Sequence, residues 1–149
     1  MNDALYSSEI LRLAADIPHI GRLARPDGAA RCVSRLCGSE VEVEIALERG
    51  VVSGIALQVK ACALGQASSA ILAKHAIGAT AAEIAAARDG LAAMLKGADA
   101  PEGRFAELSV LEAARGYPAR HASIRLAFEA AAEACARALN TATETTLTG

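Results

Sequence analysis

Two cysteines stand where a thiol could do chemistry. Cys37 precedes a glycine at a turn, and Cys62 falls between a strand-like run and a helix-like run. Before Cys62, Val51, Ser53, Ile55, Leu57 and Val59 alternate with Val52, Gly54, Ala56 and Gln58, the period of an extended strand. After it, Leu64, Ala67, Ile71 and Leu72 follow helical spacing. A cysteine just ahead of a helix meets unpaired amides and the positive end of the helix dipole, which favour a thiolate. The thiolate is the form that binds metal or accepts sulfur. The same position also suits a small buried core residue, and this stretch alone does not separate the two readings.

The elements around these cysteines decide whether they can meet. Val41 to Leu47 alternates apolar and polar residues, Glu48-Arg49-Gly50 reads as a tight turn, and residues 51–59 return as a second strand. Residues 31–36 supply a third strand reaching a turn at Gly38. This arrangement brings positions 37 and 62 to one rim of the sheet, a corner suited to a soft metal. Two thiolates do not complete a zinc or iron–sulfur site, which takes about four ligands. Further ligands would have to come from His121, Ser123, His75 or a carboxylate. His121, in the first turn of the last helix, reads either as a ligand facing the rim or as a solvated histidine. His75 follows Lys74 near a helix end, where a cation is favoured without any metal. Cys32 and Cys135 read as small core residues, and Ser68 and Ser69 as tight helix packing. Gly65 is isolated and makes no phosphate loop.

The remaining chain is helical. A first helix is expected over residues 3–16, capped by Asp3, with Leu5, Ile10, Leu11 and Leu13 as its apolar stripe. Residues 17–30 read as a turn-rich connection. Helices follow over about 64–77, from Thr80 to about Lys96, over 105–115 and over about 118–139. Thr80 with Glu83 forms a capping-box pattern. Residues 1–139 are expected to be one domain and residues 140–149 a disordered tail. Sequential strands followed by helices give an α+β class: a small antiparallel sheet of about three strands packed on one face by four to five helices, its other face solvated.

The 149 residues suffice for one domain with a sizeable core. The net charge of −2 gives no basic face for nucleic acid, and no apolar run reaches membrane-span length. The first residues, Met1 to Leu5, lack the regions of a signal peptide, so a cytoplasmic setting with reduced thiols is expected for the four cysteines.

On these residues the chain resembles the U-type iron–sulfur cluster assembly scaffold family (IscU, SufU and the N-terminal domain of NifU), in its SufU-like branch. Cys37-Gly38-Ser39 is similar to the family's Cys-Gly-Asp motif. Ala61-Cys62-Ala63-Leu64-Gly65-Gln66-Ala67-Ser68-Ser69-Ala70 is similar to the second motif, and Ile17-Pro18-His19-Ile20-Gly21 loosely to a Pro-Arg-Asn-x-Gly segment. Tyr117-Pro118-Ala119-Arg120-His121-Ala122-Ser123-Ile124-Arg125-Leu126-Ala127-Phe128 resembles the third, Pro-x-Arg-x-x-Cys-x-x-Leu. The resemblance implies a scaffold or carrier, not an enzyme. It implies zinc or a [2Fe–2S] cluster held at three cysteines and one aspartate, sulfur from a cysteine desulfurase, and recipient apo-proteins. Carried over by position, the ligands would be Cys37, Cys62, Ser123 at the third cysteine and Ser39 at the aspartate. His121 is a possible substitute and Arg120 a partner contact. Two of four ligands are thus hydroxyls, harder and less acidic than thiolates. Two functions follow: a scaffold or sulfur/iron acceptor with a partly degenerate ligand set, or a metal-free interaction module of the same fold that binds a desulfurase or another assembly partner.

Overall fold

A computed structural model describes residues 6–36 and 38–148, with side chains described as far as Asn140. The elements are α1 (Ser8–Ala15), β1 (Gly28–Ser34), β2 (Ser39–Glu48), β3 (Val51–Lys60), α2 (Ala63–His75), α3 (Ala81–Leu95), a 3₁₀ helix (Gly103–Gly116) and α4 (Pro118–Thr148). The strands form one antiparallel sheet in the order β1-β2-β3. This is the expected α+β arrangement.

The β2–β3 hairpin closes through Arg49 (φ 56°) and Gly50 (φ 80°). Two successive left-handed residues match the twist of the flanking strands, and the glycine adopts its half at no steric cost. Alternation along β2 and β3 then places Val41, Val43, Ile45, Ile55 and Leu57 on one face, all buried. That face receives α4, which also packs against α2 and α3. Phe128 of α4 meets Phe105 edge to face, ring centres 5.5 Å apart, at the middle of the helical layer. α4 comes so close to β1 that a Cβ on Gly28 would stand 2.1 Å from the Ala134 carbonyl oxygen. Only a glycine permits this approach.

The opposite face departs from the sequence reading. It carries Glu42, Glu44 and Gln58; Gln58 stays exposed, but residues 17–27 strap across the part around Glu44 instead of leaving it solvated. Glu44 is buried beneath the strap, accepting from the Leu23 amide (2.7 Å) and from Arg22 (3.1 Å). The strap also protects the edge of the sheet. Leu57 of β3 donates to His19 O and accepts from the Gly21 amide, both at 2.9 Å. Farther along the same edge, Val52 exchanges two hydrogen bonds with Gly78 and Ala79. On the other edge, Arg137 donates to Ala29 O at 2.7 Å. Covered edges do not template pairing with another chain. The turn signals Pro18, Gly21 and Pro26 marked this segment as a connection but carried no sign of its docking.

Other boundaries shifted for local reasons. α1 begins at Ser8 because the Ser7 hydroxyl caps it, accepting from the Ile10 amide. Asp3 and Leu5 lie outside the described residues, and Leu11 of the expected stripe is half exposed. Thr80 and Glu83 form the full capping box. The stretch expected as a short helix over 105–115 is 3₁₀, with a kink at Phe105. The last helix runs on to Thr148, beyond the expected end near residue 139.

Candidate functional site

The site is built where β3 hands over to α2. Lys60 ends the strand, and Cys62 takes the N-cap position in extended conformation (φ −68°, ψ 172°). Its carbonyl accepts the first helical hydrogen bond, from Gln66 at 2.8 Å. The sulfur makes no geometrically tight cap, so the thiol stays available to its neighbours. α4 brings the main neighbour: Ser123 Oγ lies 3.5 Å from Cys62 Sγ. The start of β2 brings the next, with Ser123 Oγ donating to Ser39 Oγ at 3.1 Å. Both serines are buried, 1% and 3% exposed, so these contacts are shielded from water.

The thiol is more acidic than an ordinary cysteine's. Burial opposes the thiolate. The Ser123 hydroxyl, the amides of Gly65 and Leu64 at the helix start, and the Arg120 charge together outweigh that cost. A serine hydroxyl carries one proton and serves one neighbour at a time. With Cys62 protonated, the thiol donates toward Ser123, which donates to Ser39. With Cys62 ionised, the Ser123 proton must turn to the sulfur and leave its oxygen as an acceptor.

The chain as a whole is similar to known proteins. A family model described as NifU-like N terminal domain matches residues 5–124. The chain belongs to that family. An iron–sulfur cluster assembly scaffold protein IscU from Thermotoga maritima is 26% identical over 130 residues, covering 87% of this chain and 92% of the relative. The crystal structure of a nitrogen-fixing NifU-like protein (N-terminal) from Brucella abortus superposes with a TM-score of 0.90 at 48% identity, over 93% of this chain and 96% of that one. A putative scaffold protein for the SUF system from Fervidobacterium islandicum AW-1 shares the fold, with a TM-score of 0.83 at 18% identity, over 91% and 99% of the two chains.

Within this NifU-like domain, three of the expected positions converge: Cys62, Ser39 and Ser123. Arg120 joins them one turn earlier on α4, its charge favouring the Cys62 thiolate. Cys37 lies outside the described residues. Of its described neighbours, Ser34 pairs with Ser39, and Gly38 N donates to Ser34 O at 2.9 Å. His121, proposed as a substitute ligand, has Nε2 2.8 Å from Ala114 O, which engages its ring with the end of the 3₁₀ helix. His75 is 2.8 Å from Glu107, which Lys74 also contacts at 3.1 Å, so this cluster ties α2 to the 3₁₀ helix. Ser69 donates to Gly65 O at 2.8 Å, a packing role.

Two site features escaped sequence reading. Gly65 is one: a Cβ there would stand 2.8 Å from Ser123 Oγ and 2.8 Å from the Ala61 Cβ, so its absence lets α2 press against α4 at the site. The hydrogen bond between the two serines is the other. Their placement at motif positions was the available signal, but only the fold shows that they touch.

The donors described at this corner are one thiol and two hydroxyls. Among the described residues, no three His, Cys, Asp or Glu side chains are grouped to hold a metal ion. Hydroxyls that retain their protons are poor ligands for zinc or iron, so these three groups do not fit a self-contained soft-metal shell.

Proposed function

We propose that this chain serves iron–sulfur cluster assembly as a scaffold or sulfur/iron acceptor with a partly degenerate ligand set. The observation that carries the reading is Cys62: a half-buried thiol at the start of α2 whose charged form is favoured by the surrounding hydroxyl, amides and Arg120. Membership of the NifU-like family and the similarity to a protein named as an IscU scaffold support it. Cys62, together with Cys37, is the proposed point of attachment for cargo, with Ser39 and Ser123 at the other two positions. His121 is held in reserve as a ligand that would first have to leave Ala114.

The proposed sulfur donor is a cysteine desulfurase, and recipient apo-proteins are the proposed destination. Sulfur delivered as a persulfide would transfer by attack of the Cys62 thiolate on its terminal sulfur. A new S–S bond forms at Cys62, the donor's S–S bond breaks, and the donor leaves as a thiolate. Arg120, beside the thiol, is the proposed contact for an incoming partner. The chain then acts as a carrier, not an enzyme, in a cytoplasmic setting. Among the described residues no helix is long and apolar enough to cross a membrane.

Anaerobic reconstitution with iron and sulfide tests this. Visible absorbance that disappears in Cys62→Ala is the expected result. The hydroxyl chain at the corner favours a second reading, a metal-free interaction module. A protein that stays colourless yet binds a cysteine desulfurase would establish that reading in place of the first.

A further inference from the structure

Three side chains from three separate elements meet at the corner: Cys62 from the cap of α2, Ser123 from α4 and Ser39 from β2. Consecutive members are 3.5 Å and 3.1 Å apart. In a tetrahedral site with metal–sulfur bonds of about 2.3 Å and metal–oxygen bonds of about 2.1 Å, neighbouring ligand atoms stand roughly 3.3–3.8 Å apart. The Cys62–Ser123 pair stands at that spacing and the Ser123–Ser39 pair a little inside it, each joined by a hydrogen bond. Each serine is buried, where an unpaired hydroxyl would be costly. The close approach at Gly65 leaves Ser123 little room to turn away.

We infer that the Cys62–Ser123–Ser39 hydrogen-bond chain is an internal latch that joins α2, α4 and β2 where a metal ion otherwise could, so that order at this corner is independent of metal. The inference deepens the proposed function, because it means the cradle is assembled before any cargo arrives. It rests on the assignment of this corner as the site.

Thermal unfolding and amide exchange of the whole chain test the latch, without any cluster. The wild-type Tm is expected to be the same in chelator and in equimolar zinc. Ser123→Ala is expected to lower Tm by about 3 °C and to speed amide exchange at Ser39 and Gly65 about tenfold. Ser39→Ala, which removes the acceptor for Ser123, should do the same and guards against a folding failure at position 123. Ser123→Cys, in reductant, should acquire a Tm that rises with zinc. A wild-type Tm that rises with zinc as far as that of Ser123→Cys would overturn the inference. So would wild-type Tm and exchange in both alanine variants. Failed cluster reconstitution with these results intact would remove the scaffold role and leave the latch standing.

Discussion

Cys62 and Cys135 sit on the same helical layer and have opposite chemistry. Cys62 faces hydroxyl, amide and guanidinium dipoles at a helix start, and its thiolate is favoured despite partial burial. Cys135 lies in the middle of α4 among alanines, where burial alone pushes its thiol up to about 11. Cys32, on the β1 side of that same seam, is also raised, by burial first and then by Glu133 and Glu129, with Arg137 opposing. Burial weakens the thiolate in all three; what differs is whether dipoles and a cation are aimed at the sulfur. The seam between β1 and α4 is built for adhesion, and the corner at α2 for a charged sulfur.

Substitutions at two glycines should break this contrast in different ways. Gly28→Ala drives a methyl into the Ala134 carbonyl and toward the Ala138 amide, 2.1 Å and 2.7 Å away, and both are backbone groups that cannot step aside. A loss of about 3 kcal/mol or more is expected, seen as a large fall in Tm. Gly65→Ala meets Ser123 Oγ and the Ala61 methyl at 2.8 Å. The cost should be smaller, about 1–3 kcal/mol. Its stronger signature should be chemical, a changed rate of Cys62 alkylation as Ser123 is displaced. A Gly65→Ala protein with an unaltered alkylation rate would show that Ser123 does not set the thiol's character.

Reactivity sharpens the comparison next. Alkylation follows the thiolate, so with rising pH Cys62 should be labelled well before Cys135, which responds only near 11. Peptide mapping across a pH series reads this directly. Linkage gives Cys135 the opposite mark on stability. Its folded-state acidity is weakened, so the stability it contributes is complete below the ordinary thiol value of 9.0 and is lost as pH rises through about 11. Cys135→Ala should remove that part of the alkaline decline. The smallest effect is expected from Arg120→Gln. Its charge is the weakest of the influences favouring the Cys62 thiolate, so the labelling profile should move slightly alkaline.

Much of the frame was legible from residues alone. The alternation of Val41 to Val59 marked two strands and the hairpin between them, while the register shift at Ala46 and Leu47 carried no sequence signal. Cys62 at a strand–helix junction was legible because the hydrophobic period changes there from two to 3.6. His121 shows the limit. Its place in the first turn of α4 could be read, but the direction of its ring depends on Ala114, which tertiary packing brings into reach. The strap over Glu44 was hidden for the same reason. A buried carboxylate looks like any polar strand position until the Leu23 amide and Arg22 arrive to satisfy it.

Of the described elements, the helix that lids the sheet is the last to be made. β2 is complete at Glu48, yet its apolar face and that of β1 are roofed chiefly by α4, whose first residue is Pro118. On a ribosome working from the N-terminus, these strands must wait through α2, α3 and the 3₁₀ segment with Val43 and Ile45 incompletely sheltered. Docking α4 on β1 is a late, long-range closure that slows folding relative to local helix formation. A nascent chain stalled before that helix emerges is therefore the form most in need of a chaperone.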